Sequence, residues 1–353
     1  MPSRRLILTG LVGAAAAALT ARFASPFIMP EAYYRGPVSD HFDGTTFFNP
    51  GKPRTQGFLD LLRWQMGGGR VAWPEAAPGT RAAPDRSVDA LRVTMIGHAS
   101  VLIQVNGLNI LTDPVWSDRA SPVTFAGPKR VNAPGVALES LPPIHAVLVS
   151  HNHYDHLDLD TLGRLWRAHR PKIITPLGND AIMRAADPSI EVTTIDWNGE
   201  ASIGPGVDLV ALPMHHWSAR GMFDRNFALW ASFLIRTPQG AVYHVGDSGY
   251  GGGDYFRIVK ERFGGCRLAI LPIGAYEPRW FMSYSHMNPE EAVKAFNDCG
   301  AAYAMAHHWG TFQLTNEGID APREDLRTAL VGNGVDEARF RTLQPGGFWD
   351  VPA

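Results

Sequence analysis

The stretch VLVSHNHYDHLDLDTL, residues 147–162, places His151, His153, Asp155, His156 and Asp158 directly after an apolar run. Imidazoles and carboxylates crowded in this way are costly to bury unless they hold something. Together these donor types suit zinc, with manganese or iron as alternatives. HNHYDH sets imidazoles at i and i+2, then a carboxylate and an imidazole at i+4 and i+5. Three further strand-like segments end in the same chemistry: His215-His216 follows VDLVALPM, Asp247 follows AVYHVG, and His307-His308 follows AAYAMA. One histidine from each doublet, with Asp247, raises the donor set to seven. That is too many for one ion and suits two ions sharing a carboxylate. Either member of each doublet could face inward. Two ions about 3.5–4 Å apart lower the pKa of a bridging water toward neutrality, so the expected chemistry is hydrolysis by a metal-bridging hydroxide without a Ser or Cys nucleophile. Asp158 is expected to orient a ligand histidine rather than to bind an ion. His98, in IGHAS, is a candidate for the same supporting position. His145, His169 and His244 sit in strand or helix contexts and read as structural.

Such donors need rigid roots, which strand ends supply. From Leu91 onward the texture is strand-rich. SVLIQV and LNILTD flank Asn106-Gly107, a pair that supplies the positive φ of a two-residue hairpin turn. AVLVS, KIITP, VTTID and VDLVALP read as strands, with a helical stretch around Asp180 to Ala186. WASFLIRTPQGAVYHVGDSG reads as a hairpin turning at Pro238-Gln239-Gly240, and LAILPIG and AAYAMA as buried strands. NPEEAVKAFNDCG is a helix with Asn288 at its N-cap, Glu291 reaching back and Gly300 as its stop. The pattern predicts an α+β fold, two sheets covered by helices, rather than an alternating parallel sheet.

The chain has 353 residues, 45% of them hydrophobic, which suits one large core with appendages. A formal net charge of −2 argues against a nucleic-acid partner. Two cysteines, Cys266 and Cys299, cannot build a disulfide framework and read as free buried thiols. Residues 1–24 carry Arg4-Arg5 and then an uncharged run from Leu6 to Ala21. This is the layout of a twin-arginine-like export signal, or of an N-terminal anchor if Arg22 spoils cleavage. It places the protein as exported, periplasmic or membrane-associated. Residues 25–90 are rich in Pro, Gly and aromatics and read as an arm packed on the core, with Phe42, Phe47 and Phe48 docking it. Residues 91–353 form the catalytic domain.

IGHASVLIQV, TDPVWSDRASPVTFAGPKR, SHNHYDHLD, HHW, GDSGY, IGAYEPRWFM, HMNPEEAV and HWGTFQL run from about residue 92 to 314. They resemble the metallo-β-lactamase fold superfamily, and within it the N-acylphosphatidylethanolamine-hydrolysing phospholipase D family. The resemblance implies a four-layer αββα sandwich with a site for two Zn2+ at one edge. His151, His153 and His216 would hold one ion, Asp155, His156 and His308 the other, and Asp247 would bridge them. Asp155 and Asp247 would be the catalytic carboxylates, Asp155 as a proton carrier. His286 matches a position beside the substrate phosphate. Where the family has a basic residue three positions after the histidine of HW, this chain has Ala219 followed by Arg220, which is expected as a replacement phosphate partner. Where the family has Gln before the position of His286, this chain has Ser285. Both departures bear on head-group preference. The implied substrate is an N-acylphosphatidylethanolamine-like phospholipid, cleaved to phosphatidic acid and an N-acylethanolamine. Trp280, Phe281 and Met282 are candidates for an apolar groove near a membrane surface, and a homodimer is compatible with the reading. A lactonase or other ester hydrolase would use the same metals without phosphate contacts. A non-enzymatic metal-binding periplasmic protein is a third reading.

Overall fold

The computed structural model describes residues 33–51 and 56–353. The export signal or anchor expected over residues 1–24 lies outside the described residues. One seven-stranded sheet contains β1 (Arg92–Gly97), β2 (Ser100–Val105), β3 (Leu108–Thr112), β4 (Ala146–Leu148), β5 (Lys172–Pro176) and β6 (Val192–Ile195) in chain order, with β14 (Phe348–Asp350) beside β1. The other runs from β7 (Glu200–Gly204) through β8 (Val207–Leu212), β9 (Ser232–Arg236), β10 (Val242–His244), β11 (Cys266–Pro272) and β12 (Ala301–His307) to β13 (Phe340–Thr342). Each sheet begins with antiparallel neighbours and turns parallel. The change comes at β3–β4 in the first and at β10–β11 in the second. The β2–β3 hairpin turns at Asn106 (φ 51°) and Gly107 (φ 74°), the left-handed pair that its Asn-Gly sequence predicts.

Among the described residues the helices are α1 (Phe58–Met66), α2 (Leu159–His169), α3 (Asn179–Ala186), α4 (Asp254–Phe263), α5 (Arg279–Met282), α6 (Pro289–Asp298) and α7 (Ala321–Gly332). The start of α6 carries the reciprocal cap read from its sequence: Glu291 N donates to Asn288 Oδ1, and Asn288 N donates to Glu291 Oε2. Three apolar layers hold the sandwich. Val93, Val101 and Ile103 meet Leu209, Phe233 and Ile270 between the sheets. Leu162, Leu165 and Trp166 of α2 and Met183 of α3 cover the outer face of the first sheet. Phe256 of α4, Val293 and Phe296 of α6 and Leu326 of α7 cover the second. Because both faces are covered, strands such as β2 and β4 are buried along their whole length and lack polar alternation. Each fully buried Leu, Val or Phe contributes about 1.5–3 kcal/mol. This is the four-layer αββα arrangement expected.

Several elements escaped the sequence reading, among them β1, β7 and the helices α2, α4 and α5. Within the Pro- and Gly-rich arm, Phe58–Met66 forms α1. Beyond the last expected strand, α7 is followed by β13 and β14, one on each sheet. In the arm Phe42 and Phe47 pack with Met214, Leu229 and Trp230, whereas Phe48 is exposed, so the expectation that it docks fails. Extended backbone sends neighbouring side chains to opposite faces, so with Phe47 turned inward Phe48 turns to the uncovered side. No helix among the described residues is long and apolar enough to cross a membrane.

Candidate metal centre

Parallel neighbours end at the same edge of a sheet, and this positions the donors. β3 leads to Asp113, β4 to His151, β8 to His216, β10 to Asp247 and β12 to His308. The turns that bring them inward are tight. His98, Asp113 and His308 have φ of 55°, 39° and 61°, the left-handed region, which costs a non-glycine residue about 1–3 kcal/mol. Gly246, at φ 67°, precedes Asp247; a Cβ there would stand 2.8 Å from the Ser150 side chain. Of the doublets, His216 and His308 reach the cluster. His215 stacks on Tyr255 with ring centroids 4.3 Å apart, and His307 faces His244 at 5.3 Å. In each doublet one ring turns into the cluster and its neighbour packs away from it.

Two groups of donors meet at one carboxylate. His153 Nδ1 lies 2.9 Å from His151 Nε2 and 3.2 Å from His216 Nε2. On the other side Asp155 Oδ2 lies 3.2 Å from His308 Nε2 and 3.6 Å from His156 Nε2. Asp247 Oδ2 stands 3.0 Å from His308 Nε2, 3.3 Å from His156 Nε2 and 3.8 Å from His216 Nε2. A tetrahedral ion with nitrogen ligands at about 2.0–2.1 Å keeps its ligands roughly 3.3 Å apart, so these separations fit donors converging on shared cations. Asp247 Oδ1 is buried with no hydrogen-bond partner among the described residues, a further sign that this carboxylate is built for an ion.

The outward-facing nitrogens of His151, His216 and His156 are held as metal-binding imidazoles require, whereas His153 Nε2 and His308 Nδ1 have no hydrogen-bond partner among the described residues. His151 Nδ1 lies 2.9 Å from Ser150 Oγ, His216 Nδ1 donates to Ser285 O at 3.0 Å, and His156 Nδ1 donates to Asp113 Oδ2 at 2.9 Å. Asp113 also accepts from Ser150 N and Oγ and lies 3.3 Å from His244 Nε2. It is the functional residue that sequence reading missed. Its signal was present: it follows a strand, in LNILTD, as the other donors do.

The electrostatics follow from burial. Desolvation pushes His151 and His216 far down and His153 down to about 3, favouring the neutral imidazoles that ligate metals. Burial acts to raise Asp155 and Asp247, yet the imidazoles around them win and hold both far below the usual carboxylate range. His308 is pushed up to about 9, since Asp247 and Asp155 outweigh its desolvation.

The remaining expected residues are placed as follows. His98 Nε2 donates to Asp155 Oδ2 at 2.9 Å, a supporting contact. Asp158 touches no histidine of the cluster, contrary to expectation. Its carboxylate accepts from Thr161 N and Oγ1 at the start of α2 and from Trp116 N and Ser117 N. As the N-cap residue it faces the helix's own amides, and Asp113 has the orienting role instead. His286 stands at the mouth: its Nδ1 is 3.7 Å from Asp247 Oδ2, and its side chain is 14% exposed. Arg220 is not a free phosphate partner. Its Nη1 donates to Asn152 O and Leu157 O, and its guanidinium lies 3.8 Å from the centre of the Tyr154 ring, so it clamps the HNHYDH loop from behind. Arg130, of GPKR, similarly ties Val115 O and Ser117 O. Met282 is buried, Phe281 stacks on Trp64, and Trp280 is exposed.

A sequence model of the beta-lactamase superfamily domain matches residues 108–309. The chain is 38% identical over 276 residues to N-acyl-phosphatidylethanolamine-hydrolyzing phospholipase D 1 of Caenorhabditis elegans, covering 75% of this chain and 77% of that one. It is also 38% identical over 278 residues to an uncharacterised protein of Mycobacterium tuberculosis, covering 77% of this chain and 73% of the other. Among solved structures, a possible metal-dependent hydrolase from Veillonella parvula aligns with a TM-score of 0.58 at 17% identity, over 74% of this chain and 99% of that chain. That likeness is one of fold alone.

Proposed function

Because the chain belongs to the beta-lactamase superfamily of hydrolases, in its N-acyl-phosphatidylethanolamine-hydrolysing phospholipase D-like branch, we propose that it is a two-metal phosphodiesterase acting on N-acylated phosphatidylethanolamines. The observation that carries the metal reading is the placement of Asp247 Oδ2 within 3.0–3.8 Å of ring nitrogens of His308, His156 and His216, which belong to both halves of the donor set. In this reading His151, His153 and His216 hold one ion, and Asp155, His156 and His308 the other. Bound zinc, manganese or iron would supply a nucleophilic hydroxide at neutral pH and offset charge on the phosphoryl oxygens.

The chain's own residues set the rest. Ser150, Asp113 and Ser285 O fix the imidazole planes from outside. His286 faces the mouth as a neutral imidazole, pushed down to about 4 mainly by burial, and can donate to or accept from a substrate oxygen. Asp155 is a poor proton acceptor while His98 and His308 both contact its Oδ2, so positioning rather than proton transfer is its part. The oxygen of water would bond to phosphorus, the phosphorus–oxygen bond to the ethanolamine would break, and the proton released by the water would end on the departing oxygen, giving phosphatidic acid and an N-acylethanolamine. We read the Arg4-Arg5 segment as routing the protein out of the cytoplasm, which fractionation of cells expressing the full chain would check.

The test is mass spectrometry of products after purified, metal-analysed protein meets N-acylphosphatidylethanolamine in detergent, with Asp247→Asn as control. Both products from the wild type alone are expected. No product from a metal-loaded sample that cleaves a lactone or simple ester would overturn the lipid assignment and leave an ester hydrolase.

A further inference from the structure

Helix α1 presents an apolar face to solvent. Leu59, Leu62 and Met66 recur at spacings of three and four and fall within an arc of about 60° at 100° per residue. Leu59 and Met66 are each 79% exposed, and Leu62 is exposed as well. An ordinary surface helix turns such a stripe inward, but α1 is held by another face. Trp64 stacks on Phe281 with ring centroids 5.1 Å apart, and its Nε1 donates to Asn316 Oδ1 at 3.0 Å. Arg63 flanks the stripe, with its guanidinium 4.9 Å from the ring centre of Trp280, itself 46% exposed. Arg70 lies over Trp64, on the packed face, and donates to Leu314 O. The one carboxylate of α1, Asp60, is turned back to accept from Gly57 N.

The helix is linked through α5 to the rim of the metal centre. α1 packs on α5, and Gln56 Nε2 donates to Trp280 O. From α5 the chain passes at once to Ser285, whose carbonyl accepts from His216 Nδ1, and to His286 beside Asp247. Backbone bonds from Ser285 N and His286 N to Met282 O tie this rim to the helix.

We propose that the Leu59–Leu62–Met66 face of α1, together with Trp280 and Arg63, is the surface by which this protein seats itself on a phospholipid bilayer, setting the His286 rim against the lipid head groups. The inference rests on the phospholipid reading given above. Exposed Leu and Met enter the acyl boundary, Trp280 sits at head-group depth, and Arg63 meets lipid phosphates. An apolar stripe bordered by Arg63, which has no ion-pair partner among the described residues, and by an exposed Trp matches an anionic lipid surface in charge as well as hydrophobicity. A protein partner of that chemistry would need an acidic rim around an apolar groove.

The test places an environment-sensitive fluorophore on full-length protein carrying Leu62→Cys, with Val331→Cys, exposed at the end of α7, as control. Both native cysteines are buried and escape labelling. Phosphatidylglycerol-phosphatidylcholine vesicles are added with and without brominated acyl chains. The expected result is a blue shift and bromine quenching at position 62, both absent at position 331. The readout needs no turnover, so a failed lipid-cleavage assay and a failed docking test remain separate results. An unshifted probe at position 62 overturns the proposal, whether or not the protein sediments with the vesicles, as does an equal shift at both positions. A blue probe without vesicles also overturns it: rising with protein concentration it assigns the face to a second copy, and independent of concentration to the chain's own N-terminal residues.

Discussion

Asp113 Oδ2 accepts from His156 Nδ1 at 2.9 Å, while Nε2 of the same ring stands 3.3 Å from Asp247 Oδ2. The imidazole is thus gripped between two carboxylates, one facing the candidate metal centre and one behind it. Asp113 is fully buried and binds Ser150 as well, so it also sets the residue next to His151. Asp113→Asn should weaken metal retention by about 10–100-fold, the usual effect of removing such a partner. Asp113→Ala should destabilise the fold by about 3–5 kcal/mol, because buried imidazoles lose their counter-charge. Metal analysis after dialysis against graded chelator checks the first, and urea unfolding the second. Unchanged metal content in Asp113→Asn would remove Asp113 from this role.

Arg220 supports the loop that carries three of the histidines. Arg220→Ala should lower stability by about 2–3 kcal/mol, the scale of lost charged hydrogen bonds to buried carbonyls, and reduce metal retention with it. Arg220→Lys should rescue little, since one ammonium cannot reproduce the fork and the ring stack on Tyr154. A phosphate-binding role would instead raise KM at unchanged metal content and melting temperature, so the two are told apart by calorimetry beside steady-state kinetics.

His286→Ala is expected to leave metal content at the wild-type value and lower kcat/KM on the phospholipid by about 10–100-fold, the worth of one well-placed hydrogen bond of roughly 1–3 kcal/mol. Kinetics on metal-analysed protein decide this. Loss of metal in the variant would make His286 a ligand rather than a substrate contact.

The arm should loosen as pH rises. His41 lies 2.6 Å from Asp40 Oδ1 and 2.7 Å from Asp196 Oδ1, and its ring stacks on Trp197 at 4.5 Å. Burial opposes protonation, but the two carboxylates win and raise its pKa above the ordinary value. A group whose folded pKa is raised stabilises fully below its unfolded pKa, about 6.5, and loses that contribution as pH climbs through the folded value. Hydrogen exchange of residues 39–48 should therefore speed up across this window beyond its intrinsic pH dependence. His41→Gln should flatten the change, and an unchanged slope in that variant would exclude His41 as its source.

Much of this protein was written in local pattern. Asn106-Gly107 set a hairpin because two successive residues had to take positive φ, and Asn288 with Glu291 started α6 because the cap is local. The donor histidines and Asp247 announced themselves as polar residues closing apolar strands, where a sheet edge fixes them. Which residue meets which was decided elsewhere. Asp158 lies two positions from His156 but faces the amides of α2, whereas Asp113, 43 positions away, reaches the ring because β3 and β4 run parallel and end together. Arg220 looked like a free cation until the fold brought the carbonyls of Asn152 and Leu157 to it. Types and spacings along the chain determine which chemistry is possible. Convergence across the sandwich decides which side chains perform it, because only packed sheets bring distant strand ends within a few ångströms.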